Sequence, residues 1–219
     1  MRWLLSLSCL FLASCATLRG PDPDFGELAG EAPAFRAAYQ LECCGLRGLL
    51  LMVGHGRRGT LVEVAAGPGG VELRAWVEGD RVVERTREGC VRAWEGEGFP
   101  LPSGQRLPVS EPVLASLLAG RVPAGGTPQG ERMWIVPLSQ GRLALELAGG
   151  PSRWVNGTVG AGGEEKPVKI SARAHHGKVP GELRVTGAFG ELKARLVEFR
   201  PVEDVPPPRW LSLPRCGGL

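Results

Sequence analysis

Hydrophobic and polar positions alternate over much of the chain. Val71, Leu73, Ala75 and Val77 alternate with Glu72, Arg74, Trp76 and Glu78, the period-two pattern of a strand with one apolar face. Gly79-Asp80 then offers a two-residue hairpin turn before Arg81-Val82-Val83-Glu84-Arg85. The same spacing puts Leu143, Leu145 and Leu147 on one face, and likewise Val168, Ile170 and Ala172, then Leu183 and Val185, then Leu192, Ala194 and Leu196. Asn156-Gly157 reads as another hairpin turn. About eleven such segments are expected. Strands with one wet and one apolar face must curl or pack on something to bury the apolar side. The pattern predicts a mainly β, antiparallel domain.

One helix interrupts the strands. In residues 107–120, Ser110 suits an N-cap and Pro112 falls in the first turn, where its missing N–H is tolerated. Val113, Leu114, Leu117 and Leu118 form an apolar stripe, Gly120 suits the C-terminal end and Pro123 prevents continuation. A short apolar helix of this kind can cover the open face of a sheet. Residues 34–40 fit either a short helix or the approach to a strand. Val205-Pro206-Pro207-Pro208-Arg209 predicts an extended strap.

Composition agrees with this picture. The chain holds 33 glycines and 19 prolines in 219 residues, which suits a turn-rich sheet. The first fifteen residues stand apart. Arg2 precedes an apolar run from Trp3 to Leu12, followed by Ala13-Ser14-Cys15. That order is a secretory leader, and the run is too short for a membrane-spanning helix of about 20 residues. Leu12-Ala13-Ser14-Cys15 resembles the lipobox of bacterial lipoproteins. The resemblance implies cleavage after residue 14 and acylation (palmitate or a similar chain) of Cys15, a covalent lipid in place of any cofactor. Ala16, where aspartate would signal inner-membrane retention, favours the outer membrane. The expected organisation is a leader at 1–14, a lipidated tether at 15–33 rich in Pro, Gly and acidic residues, and one domain at 34–219. Without Arg2, Lys and Arg exceed Asp and Glu by about two, too little to argue for nucleic acid.

Cys43, Cys44, Cys90 and Cys216 remain in the body. An exported protein favours disulfides, and four cysteines allow three connectivities. No Cys-x-x-Cys spacing supports a metal site. His175 and His176 would point to opposite faces of a strand; with His55 they complete the histidines. No Gly-x-Ser-x-Gly elbow or phosphate-binding Gly-rich loop occurs, so no enzyme is expected. Trp76, on the polar side of its strand, is the expected membrane or partner contact.

Residues 107–123, with their proline, short helix and Leu-x-Gly-x-x-Pro ending, are similar to the corresponding segment of the LolB-like family of outer-membrane lipoproteins. Pro68-Gly69-Gly70 looks like that family's protruding loop between two strands. The lipobox, the tether and the basic strand at 192–199 fit as well. The resemblance implies an open antiparallel half-barrel of about eleven strands with short lid helices. Its apolar cavity holds acyl chains and acts as a chaperone in lipoprotein transport. Lining residues would be Leu73, Val77, Leu145, Ile170, Leu183 and Leu196, gated by Leu114, Leu117 and Leu118. The implied partners are acylated lipoproteins or lipids, the inner leaflet of the outer membrane and a LolA-like periplasmic carrier. Gly69 departs from the family, which carries an exposed leucine there for membrane insertion. The alternative is a structural or assembly lipoprotein with a filled core and a sheet edge for a partner.

Overall fold

The computed structural model describes residues 29–43, 45–66, 70–96, 98–101, 104–139, 141–148, 153–161 and 167–217. The expected leader, Cys15, Cys44, Pro68 and Gly69 lie outside them. Six strands come first: β1 (Phe35–Cys43), β2 (Leu46–Gly56), β3 (Gly59–Ala66), β4 (Gly70–Glu78), β5 (Arg81–Arg85) and β6 (Val91–Glu95). Two short strands, β7 (Phe99–Pro100) and β8 (Arg106–Leu107), lead into helix α1 (Glu111–Leu118). The chain returns through β9 (Thr127–Gln129), β10 (Met133–Leu138), β11 (Gly141–Leu147), β12 (Trp154–Ala161), β13 (Val168–Arg173), β14 (Glu182–Gly187) and β15 (Gly190–Pro201).

Thirteen strands form one sheet in the order β6-β5-β4-β3-β2-β1-β15-β14-β13-β12-β11-β10-β9. All its pairings are antiparallel. The chain meanders from the centre to one edge, crosses under cover of β7, β8 and α1, and meanders back from the other edge. First and last strands therefore pair at the sheet's centre. The sheet is not closed into a barrel. Val62 of β3, Leu143 of β11 and Leu117 of α1 belong to one core cluster, so the sheet curves around the helix.

The strand count exceeds the expected eleven because short edge strands and those rich in glycine or proline, such as β9, carry no alternating pattern. One α-helix, not several, occurs among the described residues. Residues 34–40 enter β1. Gly79-Asp80 is the turn expected between β4 and β5. Asn156-Gly157 is not a turn; both residues sit inside β12, opposite Glu146 and Leu145. A Cβ at Gly157 would come within 3.0 Å of Leu145 and 3.3 Å of Leu143, so this glycine makes room for leucines. Asn156 Nδ2 donates to Glu146 Oε2 at 2.7 Å across the strands.

The C-terminal segment crosses the outer face of the sheet as an extended strap ending in a short 3-10 turn, Arg209–Ser212. A disulfide between Cys90 and Cys216 staples its end beside β6. Cys43 is buried on β1.

Candidate functional site

Helix α1 is tied down at both ends. At its start Ser110 adopts the extended N-cap conformation without a side-chain cap bond, and Pro112 occupies the first turn. The polar contact comes from Glu111, which is buried. Its Oε1 accepts a hydrogen bond from Thr60 Oγ1 and lies 2.9 Å from His55 Nδ1. His55 Nδ1 is also 2.8 Å from Thr60 Oγ1. Because the threonine proton goes to the carboxylate, the shared hydrogen on His55 Nδ1 completes the triangle. The triangle fixes the helix start to β2 and β3. At the other end, Trp154 Nε1 donates to the Leu117 carbonyl at 3.1 Å. Gly120 adopts φ +72° there, packed against the Lys178 carbonyl, a left-handed conformation natural to glycine.

Between α1 and the centre of the sheet lies a pocket of about 70 Å³. Its floor comes from the inner faces of β1 to β3, β14 and β15, including Tyr39, Leu41, Leu51, Val53, Leu183 and Leu192. Its roof is Leu114 and Leu118 of α1 with Phe99, Pro100, Leu101 and Leu107 around β7 and β8. Tyr39 is the one lining residue with a polar side-chain atom; its hydroxyl is buried without a hydrogen-bond partner, and burial pushes its pKa up.

Of the expected lining residues, Leu183, Leu114 and Leu118 border this pocket. Leu73, Val77, Leu117, Leu145 and Ile170 are buried in packed core instead, and Leu196 packs against it half-buried. Trp134 and Trp154 are buried on β10 and β12, and the Trp154 indole reaches the end of α1. Leu117, expected as part of the gate, is buried and does not border this pocket. The helix also differs from a free lid, since both its ends are bonded. The rest of the roof is the β7–β8 hairpin, paired at Phe99–Leu107 and Pro100–Arg106, with Arg106 over the Trp94 ring. Gly70, the described residue of the expected protruding loop, begins β4.

A second cavity, about 300 Å³, lies on the outer face between β4–β6 and the strap. Its walls include Trp76 and Val83, but also Glu78, Arg81 and Arg215, groups hostile to a hydrocarbon. Trp76, expected as an exposed contact, is buried at 1% exposure, because the strap supplies the apolar cover that its strand pattern did not announce. His176 is exposed, while His175 is half-buried with Nε2 3.2 Å from the Trp154 carbonyl. Burial is the main cause lowering the His175 pKa. Glu88, Cys90 and Cys216 are close enough together for a metal, but the two sulfurs are spent in the disulfide.

Sequence signals missed His55, Thr60 and Glu111 because they are 51 to 56 residues apart between helix and hairpin. Tyr39 falls in residues 34–40, which the sequence pattern leaves open between a short helix and the approach to a strand. No protein-family model matches the chain, and no curated protein is significantly similar to it. The LolB-like resemblance is carried by the quoted residues alone.

Proposed function

We propose that this chain is a lipid-anchored envelope protein that takes acyl chains into the pocket beneath α1, as a LolB-like receptor would, to receive or localise lipoproteins at the outer membrane. The observation that carries the reading is the placement of the pocket: enclosed by apolar side chains, under the single described helix, at the centre of an open curved sheet. Each methylene buried there contributes about 0.8 kcal/mol, so an acyl tail binds without chemistry. At about 70 Å³ the space is well below the roughly 300 Å³ of an ordinary ligand site. A tail therefore enters by displacing part of the roof formed by α1 and the β7–β8 hairpin. Anchoring would come from Cys15, with the body facing the periplasm.

The competing reading, an assembly lipoprotein with a filled core, is favoured by one observation: most of the expected cavity positions are buried without lining this pocket. Uptake of a fluorescent hydrocarbon, diphenylhexatriene, separates the two. The acyl-chain reading expects saturable uptake, reduced tenfold or more by Leu114→Asp at near-native strand content. Absence of uptake by the wild-type chain sinks it in favour of the filled core.

A further inference from the structure

The pocket contains one chemical anomaly. Tyr39 sits on the inner face of β1 between Leu51 of β2 and Leu196 of β15, and its neighbours along the strand face are Ala37 and Leu41. Its neighbours on that face of the sheet are apolar. Its side chain is fully buried, and its hydroxyl has no partner. An unpaired buried hydroxyl costs stability, and phenylalanine would fill the same volume without that cost. Phe35 does so two steps earlier on the same inner face of β1, stacked on Phe199.

We propose that the Tyr39 hydroxyl is the polar anchor of the pocket, donating a hydrogen bond to the carbonyl oxygen of an acyl ligand, so that the site prefers acyl esters, amides and acids to bare hydrocarbon. The inference rests on the acyl-pocket reading and deepens it by naming the ligand atom recognised. A phenol whose pKa burial raises keeps its proton through the physiological range, so it stays a donor. A carbonyl arriving with the tail supplies the acceptor that the apolar walls lack. The ligand's other atoms need contribute only hydrophobic contact, which leaves chain length and head group weakly specified. Phospholipids and lipoproteins share this acyl carbonyl.

The test compares the full wild-type chain with Tyr39→Phe, using displacement of diphenylhexatriene by decane and by methyl decanoate. Decane should displace equally from both. The advantage of methyl decanoate over decane should shrink roughly 3- to 10-fold in Tyr39→Phe, the effect of one neutral hydrogen bond. The melting temperature of the ligand-free variant should equal or exceed that of the wild type, since an unpaired hydroxyl has been removed. A ratio unchanged within about twofold, or a lowered melting temperature that reveals a partner for the hydroxyl, overturns the anchor while the pocket stands. No binding of any probe overturns the anchor and the pocket together. A triacylated lipopeptide and phosphatidylglycerol vesicles, run as further arms, identify the source by which of them shows the Tyr39-dependent loss; loss in neither overturns the anchor.

Discussion

The two faces of the sheet at β4 and β5 are covered by different means. On the inner face, Leu73, Ala75, Val77 and Val82 pack into the common core with α1. On the outer face, Trp76 and Val83 lie opposite each other and are covered by the C-terminal strap. The inner cover is held by apolar contact, one polar triangle, the Ser116 hydroxyl on the Gly30 carbonyl, and indole hydrogen bonds from Trp154 to Leu117 and from Trp134 to Pro123. The outer cover is held by a covalent bond across 126 residues, by backbone hydrogen bonds of Pro214 and Cys216 to Val91, by the Arg57–Asp204 hydrogen bond and by close fit. A Cβ at Gly56 would lie 2.5 Å from the Val205 carbonyl, so the strap approaches β2 where no side chain is in the way. A protein that binds ligand on one face needs that cover to yield and the other to hold. The covalent link is on the face without the hydrocarbon pocket.

The sharpest way to break this asymmetry is to cut the staple. Replacing both cysteines, Cys90→Ser with Cys216→Ser, should cost about 3–5 kcal/mol, the scale for closing so long a loop. Hydrogen exchange should then accelerate in residues 205–216 and along β4–β6, with protection of α1 retained. Diphenylhexatriene uptake should be unchanged. Loss of uptake, or equal exchange on both faces, would mean that the covers are one cooperative unit.

A smaller effect is expected from the inner cover. Glu111→Ala leaves Thr60 and His55 without their carboxylate and should cost about 1–3 kcal/mol. Exchange should rise at the start of α1 and uptake of the hydrocarbon probe should become faster, while the strap stays protected. Slower uptake with a loosened helix would show that α1 supports the pocket rather than restricting it.

These contrasts bear on what the residues announced beforehand. The alternation in β4, β11, β13, β14 and β15 was legible because one face is wet and the other dry. The helix was legible too, because Ser110, Pro112 and Gly120 bracket it. The period did not show which outer positions are covered: Trp76 stands on the polar side of β4 yet is as buried as Ala75 and Val77, because the cover comes from a segment distant in sequence. Asn156-Gly157 misled because a glycine needed for packing spells the same dipeptide as one needed for a turn. The pocket could not be located, since a filled core and a cavity wall share one pattern. The triangle at Glu111 depends on contacts distant in sequence.

The smallest expected effect concerns the point where the strap begins. Asp204 Oδ1 accepts hydrogen bonds from the backbone N–H of Arg57 at 3.0 Å and of Val205 at 2.9 Å. These bonds favour the carboxylate and hold its pKa below the ordinary 3.8. A depressed folded-state pKa adds stability above the unfolded value and loses it as pH falls through the folded one. Asp204→Asn should therefore lower the melting temperature slightly at neutral pH, by less than either change above because Asp204 is exposed. The gap between variant and wild type should stay constant down to about pH 5 and close below pH 4. A gap that persists unchanged at pH 3 would show that the carboxylate charge contributes nothing and that Val205, buried against Gly54, seats the strap alone.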